Sequence, residues 1–170
     1  MALRVRGYAL VLGDEVDTDT IIPSTYLHIT SPERLAEGVF AKAPELRRRL
    51  DGLPRPVVIV AGRGFGYGSS REHAPRLLKL AGIGAVVAKS FHRIFYRNSI
   101  NIGLPVIVAR RIPDVTQQGD TIVVDMENGV VRNETRGVEE RFQPPPPVLL
   151  EILRSGGIVE YIKKTGRLPW

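Results

Sequence analysis

The sequence contains no cysteine. This absence excludes disulfide bonds, a cysteine zinc site and an iron–sulfur cluster ligated by thiolates of this chain. If the activity depends on such a metal group, a partner has to carry it.

The sequence also lacks any apolar run near the roughly 18 residues that a membrane span needs. The N-terminal segment reaches Asp14 and Glu15 without the apolar core of a secretory signal. We therefore expect a cytoplasmic protein that does not contact a membrane.

Aromatic residues are few, at 6%, and basic residues exceed acidic ones by 24 to 18, which gives a formal net charge of +6. A basic balance suits small anionic substrates as well as nucleic acid. The dense basic run at Arg47–Arg49 has none of the interleaved aromatic residues typical of single-strand binders. We interpret it as a solvated helix face and expect no nucleic-acid partner.

The order of the predicted elements indicates an α/β fold. Short apolar, β-branched runs predict buried strands, and helical patterns separate them, so we expect parallel pairing with right-handed crossovers. After Asp114 the pattern changes to short antiparallel strands, followed by a proline-rich linker and two helices. We expect one domain over residues 1–170. The predicted strands are Arg4–Leu12, Pro56–Ala61, Ala85–Ala88, Leu104–Val108, Thr121–Asp125, Gly129–Arg132 and Glu139–Phe142; the predicted helices are Pro32–Phe40, Pro44–Leu50, Ser70–Ala81, Phe91–Ile100, Val148–Ser155 and Val159–Thr165.

The stretch GRGFGYGSSREH, residues 62–73, is the strongest candidate site. It lacks the lysine of a P-loop, fails the G-x-G-x-x-G spacing in every register and contains no G-x-S-x-G elbow. Ser69 and Glu72 have the spacing of a helix capping box. A helix N-terminus also attracts anions, and Arg71 is unfavourable there unless it faces one. A structural cap and an anion site both remain open.

Two further segments carry polar clusters. Asp17 and Asp19, in GDEVDTDTIIP, suggest either a calcium loop or a turn held by aspartate side chains, and the residues that follow do not fit the calcium pattern. In the segment Lys89–Asn98, Ser90 is placed to cap a helix. Arg93 and Arg97 share one face of that helix, which is either part of a site or an exposed basic surface.

His73 and His92 are isolated histidines without a third ligand nearby in the sequence. We therefore expect no metal site in this chain.

These segments together resemble one family. Asp17–Pro23, Gly66–Ala74, Ala88–Asn98 and Asn101–Pro105 match, in order and spacing, motifs of the small subunits of 3-isopropylmalate dehydratase, in the aconitase superfamily. Each motif alone is modest, but all of them in this order, over most of residues 5–110, are highly specific. The proline-rich tail fits as well.

The resemblance implies a swivelling β/β/α domain and a large partner subunit that carries a [4Fe–4S] cluster. It also implies a hydro-lyase of leucine biosynthesis, which moves a hydroxyl between adjacent carbons of a malate-type acid through an unsaturated intermediate. By the same resemblance Ser69 is the catalytic base, and Ser70 and Arg71 contact the substrate or the oxyanion. Many members carry cysteine where this chain has Tyr67, a position that is not the base.

The segment Ser24–Ile29 lies where the family has its specificity loop. Ile29 suits the isopropyl group of isopropylmalate, which we favour as the substrate, whereas a protonated His28 suits the extra carboxylate of homoaconitate. A protein that serves both substrates is a further alternative. The rival from another class is a non-enzymatic binder of anions or nucleic acid, which would not need the Ser69 hydroxyl.

Overall fold

The computed structural model describes residues 3–68 and 71–170. Its centre is a mixed sheet of seven strands in the order β4-β3-β2-β1-β5-β6-β7. Strands β1 to β4 are parallel to one another, and β5 to β7 continue from β1 in antiparallel fashion. The strands are β1 Arg4–Val11, β2 Val57–Ala61, β3 Ile83–Ala88, β4 Val106–Val108, β5 Thr121–Asp125, β6 Val130–Asn133 and β7 Val138–Arg141.

The apolar runs form the middle of the parallel half, as predicted. Strand β2 is buried along its whole length, and β3 is buried except at one half-buried glycine. Strands covered on both faces need continuous apolar sequence rather than alternation. The core therefore lies around β2 and β3 and fixes the positions of the loops that follow them.

Helices pack against this curled sheet. Helix α4 contacts α1, α2 and α5, while α6 contacts β2 and β3 as well as β6 and β7. The expected β/β/α arrangement is thereby confirmed. The helices in the described ranges are α1 Thr18–Ile21, α2 Pro32–Ala36, α3 Pro44–Asp51, α4 His73–Leu80, α5 Arg93–Asn101, α6 Ile112–Val115, α7 Pro147–Ser155 and α8 Ile158–Thr165, with a 3₁₀ turn at Ser24–Tyr26.

The Glu140 carboxylate links strand β7 to the start of helix α6. Glu140 of β7 accepts hydrogen bonds from the backbone N–H groups of Arg110, Arg111 and Ile112, at 2.7, 2.8 and 2.9 Å. These groups precede and open helix α6, where a negative charge is favourable. The contact is non-local, and α6 itself was missed by the sequence patterns.

Two predicted helix limits are wrong. Helix α4 begins at His73 rather than Ser70, because this start makes Pro75 the third helical residue, where its missing N–H costs nothing. Glu72 therefore lies before the helix and is not the third residue of a capping box. Helix α2 ends at Ala36, and Phe40 has a φ of 57°, which no α-helix continues through.

Within the two described ranges, no helix is long and apolar enough to cross a membrane.

Candidate active site

The three motif segments meet at one edge of the sheet. They follow the carboxyl ends of β1, β2 and β3, which are parallel neighbours. Ligand sites of open α/β sheets lie at this edge, because the loops after adjacent parallel strands converge there. The fold thus brings together segments that are far apart in the sequence.

Backbone hydrogen bonds join the loop after β1 to the glycine-rich loop after β2. Bonds of 2.7 to 3.1 Å link residues 13–18 with residues 62–67, and Asp17 and Tyr67 form an isolated parallel bridge. The Asp14 carboxylate accepts another hydrogen bond from the backbone N–H of Arg63, at 2.7 Å. The glycine-rich loop is therefore held in place along one whole side.

The loop after β3 holds the other side of the glycine-rich loop. Phe65 N–H donates to the Ser90 carbonyl at 3.1 Å, and His92 N–H donates to the Phe65 carbonyl at 3.0 Å. The Ser90 hydroxyl accepts from the N–H of Gly64 at 2.8 Å. The prediction that Ser90 caps a helix is wrong: α5 begins at Arg93 after His92, and the hydroxyl fixes the neighbouring loop instead.

Two glycines permit this close packing. A Cβ atom on Gly66, whose φ is 87°, would lie 2.2 Å from the ring of Phe95. A Cβ atom on Gly68, whose φ is 112°, would approach the Thr18 hydroxyl to 2.9 Å. Positive φ and the lack of space both select glycine. The loop up to Gly68 therefore has little freedom to shift towards α5 or α1.

Asp17 is a structural carboxylate, as the turn interpretation predicted. It caps helix α1 by accepting from the Thr20 N–H at 2.6 Å, and it accepts from the Tyr67 hydroxyl at 3.2 Å. Burial raises the pKa of the Asp17 carboxyl, but the hydrogen bonds from Thr20 and Tyr67 together outweigh burial and hold the pKa below its ordinary value. The hydrogen bond that the Tyr67 hydroxyl donates to Asp17 raises the pKa of the Tyr67 phenol, and the negative charge of Asp17 raises it further.

Replacement of Tyr67 by phenylalanine is expected to destabilise the protein in a pH-dependent way. A carboxyl group whose pKa is lower in the folded than in the unfolded state stabilises the fold at pH values above the unfolded-state pKa of about 3.9. This contribution is lost as the pH falls through the folded-state pKa. The melting temperature of Tyr67→Phe should therefore lie below that of the native protein near neutral pH, and the gap should narrow below about pH 4. Tyr161→Phe on α8 is the matched control. A difference in melting temperature between native protein and Tyr67→Phe that does not depend on pH would contradict the proposed effect of Tyr67 on the Asp17 pKa.

A first cleft, of about 240 Å³, opens between α1, the glycine-rich loop and the start of α4. Arg71 and His73 line it beside Tyr67 and Asp17. Asp19 also lines it and is ion-paired with Lys42 at 2.9 Å. Predicted site residue Arg71 therefore faces the cleft, whereas Ser69 and Ser70 lie outside the described residues. The apolar part of the lining consists of Ile22, Leu27 and Ala74.

A second cleft, of about 380 Å³, adjoins the first. His28 and Ile29 line this cleft, so the structure places them apart from Arg71. Leu27 and His73 line both clefts. Sequence reasoning considered His73 as a metal ligand and as part of the Gly66–Ala74 motif, but not as a residue that lines a cleft. Its position directly after the Ser-Ser-Arg-Glu run is the signal that could have identified it. The second cleft is completed by Thr30, Leu35, Arg76, Leu77 and Leu80.

The residues present do not fit an iron–sulfur cluster. The chain has no cysteine, and within residues 3–68 and 71–170 no group of three or more histidines and carboxylates is arranged to hold a metal ion. We therefore assign no step to a cluster ligated by this chain. Arg93 and Arg97 are exposed on α5, and Arg93 lines a further small cleft beside Gly66 and Gly68, so the site and the basic surface both remain open interpretations.

Known proteins resemble this chain over almost its whole length. Residues 15–111 match the family model described as the aconitase C-terminal domain. The chain is 48% identical to 3-isopropylmalate dehydratase small subunit 1 of Thermotoga maritima, over 97% of this chain and 98% of that protein. It is 49% identical to small subunit 2 of Archaeoglobus fulgidus, over 96% and 98%. A crystal structure of 3-isopropylmalate dehydratase from Methanocaldococcus jannaschii superimposes with a TM-score of 0.86 at 41% identity, covering 96% of this chain and 95% of that chain.

Proposed function

Since the chain belongs to the family of 3-isopropylmalate dehydratase small subunits, within the aconitase C-terminal domain family, we propose that it completes the active site of that enzyme. The complex interconverts 2-isopropylmalate and 3-isopropylmalate by dehydration and rehydration, a step of leucine biosynthesis that we place in the cytoplasm. The large subunit carries the [4Fe–4S] cluster, whose iron supplies Lewis-acid chemistry for the departing hydroxyl.

The main support for this proposal is that the three motif loops meet beside the cleft that Arg71 lines. Hydrogen bonds along both sides of the glycine-rich loop fix the segment that leads into Ser69. Preorganised geometry of this kind is what proton transfer and charge stabilisation require.

In this proposal Ser69 removes a proton from the carbon next to a substrate carboxylate. The C–H electron pair forms the double bond, and the hydroxyl leaves from the adjacent carbon; rehydration reverses these events with the two carbons exchanged. A serine oxyanion is a feasible base only where donors and positive charge stabilise it. We propose that Ser70 and Arg71 supply these donors and this positive charge, and that Arg71 pairs with a carboxylate of the substrate.

His28 and Ile29 are proposed to influence which substituent the substrate carries. They lie in the second cleft, where Ile29 is half-buried and His28 is exposed. Arg76 lines the same cleft. These two basic side chains favour homoaconitate as a second candidate substrate, because its substituent ends in a carboxylate. The half-buried Ile29 favours the isopropyl group.

Reconstitution tests this proposal. The chain is titrated anaerobically into a fixed amount of the cluster-bearing subunit, and formation of 2-isopropylmaleate is followed by its absorbance. We expect no turnover by either subunit alone and a rate that saturates as this chain is added. Absence of turnover with an intact cluster and a folded chain would contradict the proposal.

A further inference from the structure

We propose that His73 is a further catalytic residue, whose Nε2–H donates a hydrogen bond to the carboxylate next to the carbon that Ser69 deprotonates. The inference rests on the proposed function and adds a donor to it. Negative charge builds up on that carboxylate as the proton leaves the neighbouring carbon. A hydrogen bond that strengthens as this charge develops stabilises the transition state more than the bound substrate, and therefore raises the rate.

The position of His73 suits such a donor. Its half-buried side chain lines the first cleft together with Arg71, the residue that we pair with a substrate carboxylate. His73 is also the first residue of α4, whose next residues Ala74 and Pro75 are buried. A side chain on an ordered element is held more accurately than one on a free loop. The imidazole and the guanidinium can therefore act on the same bound molecule.

The surroundings of the imidazole ring indicate which nitrogen carries the proton. Nδ1 of His73 is buried and has no hydrogen-bond partner within residues 3–68 and 71–170. A proton on this atom would make it a buried donor without an acceptor, which is costly. A neutral imidazole has one N–H group, and we assign its proton to Nε2 on this ground. Nε2 is then the nitrogen that can donate to a ligand in the cleft.

An unpaired buried polar atom is uncommon in a folded protein and calls for an explanation. Two arginine Nε atoms share this property in the described part of the chain, those of Arg49 and Arg132. The Arg49 guanidinium donates to Gln118 at 3.5 Å. The Arg132 guanidinium forms an ion pair with Glu139 at 3.6 Å. Both arginines lie outside the lining of the first cleft, whereas His73 belongs to it. A role towards a ligand explains the imidazole.

Two amide variants distinguish the ring nitrogens in the reconstituted complex. A glutamine side chain can place its NH₂ group near the position of Nε2, whereas an asparagine side chain places it near Nδ1. We expect His73→Gln to keep kcat for 2-isopropylmalate within about tenfold of the native value, since a donor remains. His73→Asn and His73→Ala should each lower kcat by about 100-fold or more, the range for loss of one oxyanion donor. KM should change less, because the Arg71 contact remains.

The glutamine and asparagine variants are matched controls for each other, because both exchange the ring for an uncharged amide. Thermal unfolding of each variant establishes that the fold is intact. If His73→Ala does not fold, the ranking of the two amide variants still decides the question. A role in packing alone gives no reason for glutamine to exceed asparagine.

A kcat of His73→Asn equal to or above that of His73→Gln would overturn the proposal. Equal losses in all three variants, or kcat values all within threefold of native, would overturn it too. So would a loss confined to KM, because that would mark a contact made equally with substrate and transition state. The native complex and Ser69→Ala are assayed in the same series. Failure of the His73 ranking alone leaves the proposed function standing, whereas failure of the native complex on isopropylmalate would strike the proposed function itself.

Discussion

Ser69→Ala in the reconstituted complex is expected to lower kcat for 2-isopropylmalate by about 10³-fold or more, in the upper part of the range for removal of a positioned base. The loss should appear mainly in kcat, since a base acts chiefly in the transition state. KM should change far less, because Arg71 and the walls of the first cleft remain. Steady-state rates at saturating substrate measure the effect.

The same variant separates the enzyme from the rival binder. Ser155→Ala, at the end of α7 and away from the site, serves as the matched control and should keep native turnover. Thermal unfolding of both variants establishes that the fold is intact. Turnover of folded Ser69→Ala within tenfold of the native rate would remove Ser69 from the role of base and leave this chain with a binding role in the active site.

Arg71→Lys is expected to reduce kcat/KM by about 100-fold, even though the charge is retained. A guanidinium can hold a carboxylate through two parallel hydrogen bonds, whereas an ammonium group acts as a point charge on a flexible chain. Loss of a charged hydrogen bond of this kind corresponds to roughly 10- to 150-fold. The reduction should include a higher KM, because the carboxylate contact is made in the ground state as well.

Arg167→Lys, on the exposed C-terminal segment, is the control for the Arg71 variant. It should retain the native kcat/KM for 2-isopropylmalate. A value for Arg71→Lys within threefold of native would show that Arg71 faces the cleft without binding the substrate carboxylate.

Local sequence rules predicted the parts of the fold that depend on local chemistry. The apolar runs of β2 and β3, the Asn128-Gly129 hairpin turn and Gly82 after α4 all lie where these rules place them. The Asp17 turn belongs to the same group, because an aspartate bonds to the backbone three residues ahead regardless of the rest of the fold. Each of these features is decided by a few consecutive residues.

The remaining features depend on which distant segments meet. Ser90 has the local pattern of a helix cap, but Gly64, on another loop, takes its hydroxyl. The separation of His28 from Arg71 is set by how the 3₁₀ turn packs against the start of α4. Ser69 and Glu72 have the local spacing of a capping box, but α4 begins at His73, with Pro75 as its third residue. The sequence alone does not give the distances between residues on different loops.

The most direct test of the account is the kcat/KM of the native reconstituted complex for 2-isopropylmalate and for homoaconitate, measured in parallel under anaerobic conditions. We predict turnover of isopropylmalate, with a kcat/KM well above that for the tricarboxylate, because the short branched group fits the cleft beside Arg71. Turnover of homoaconitate alone would contradict this substrate assignment and make His28, in the second cleft, the residue that selects the substrate. Absence of turnover with both substrates, given an intact cluster on the large subunit, would contradict the proposed enzymatic function as a whole.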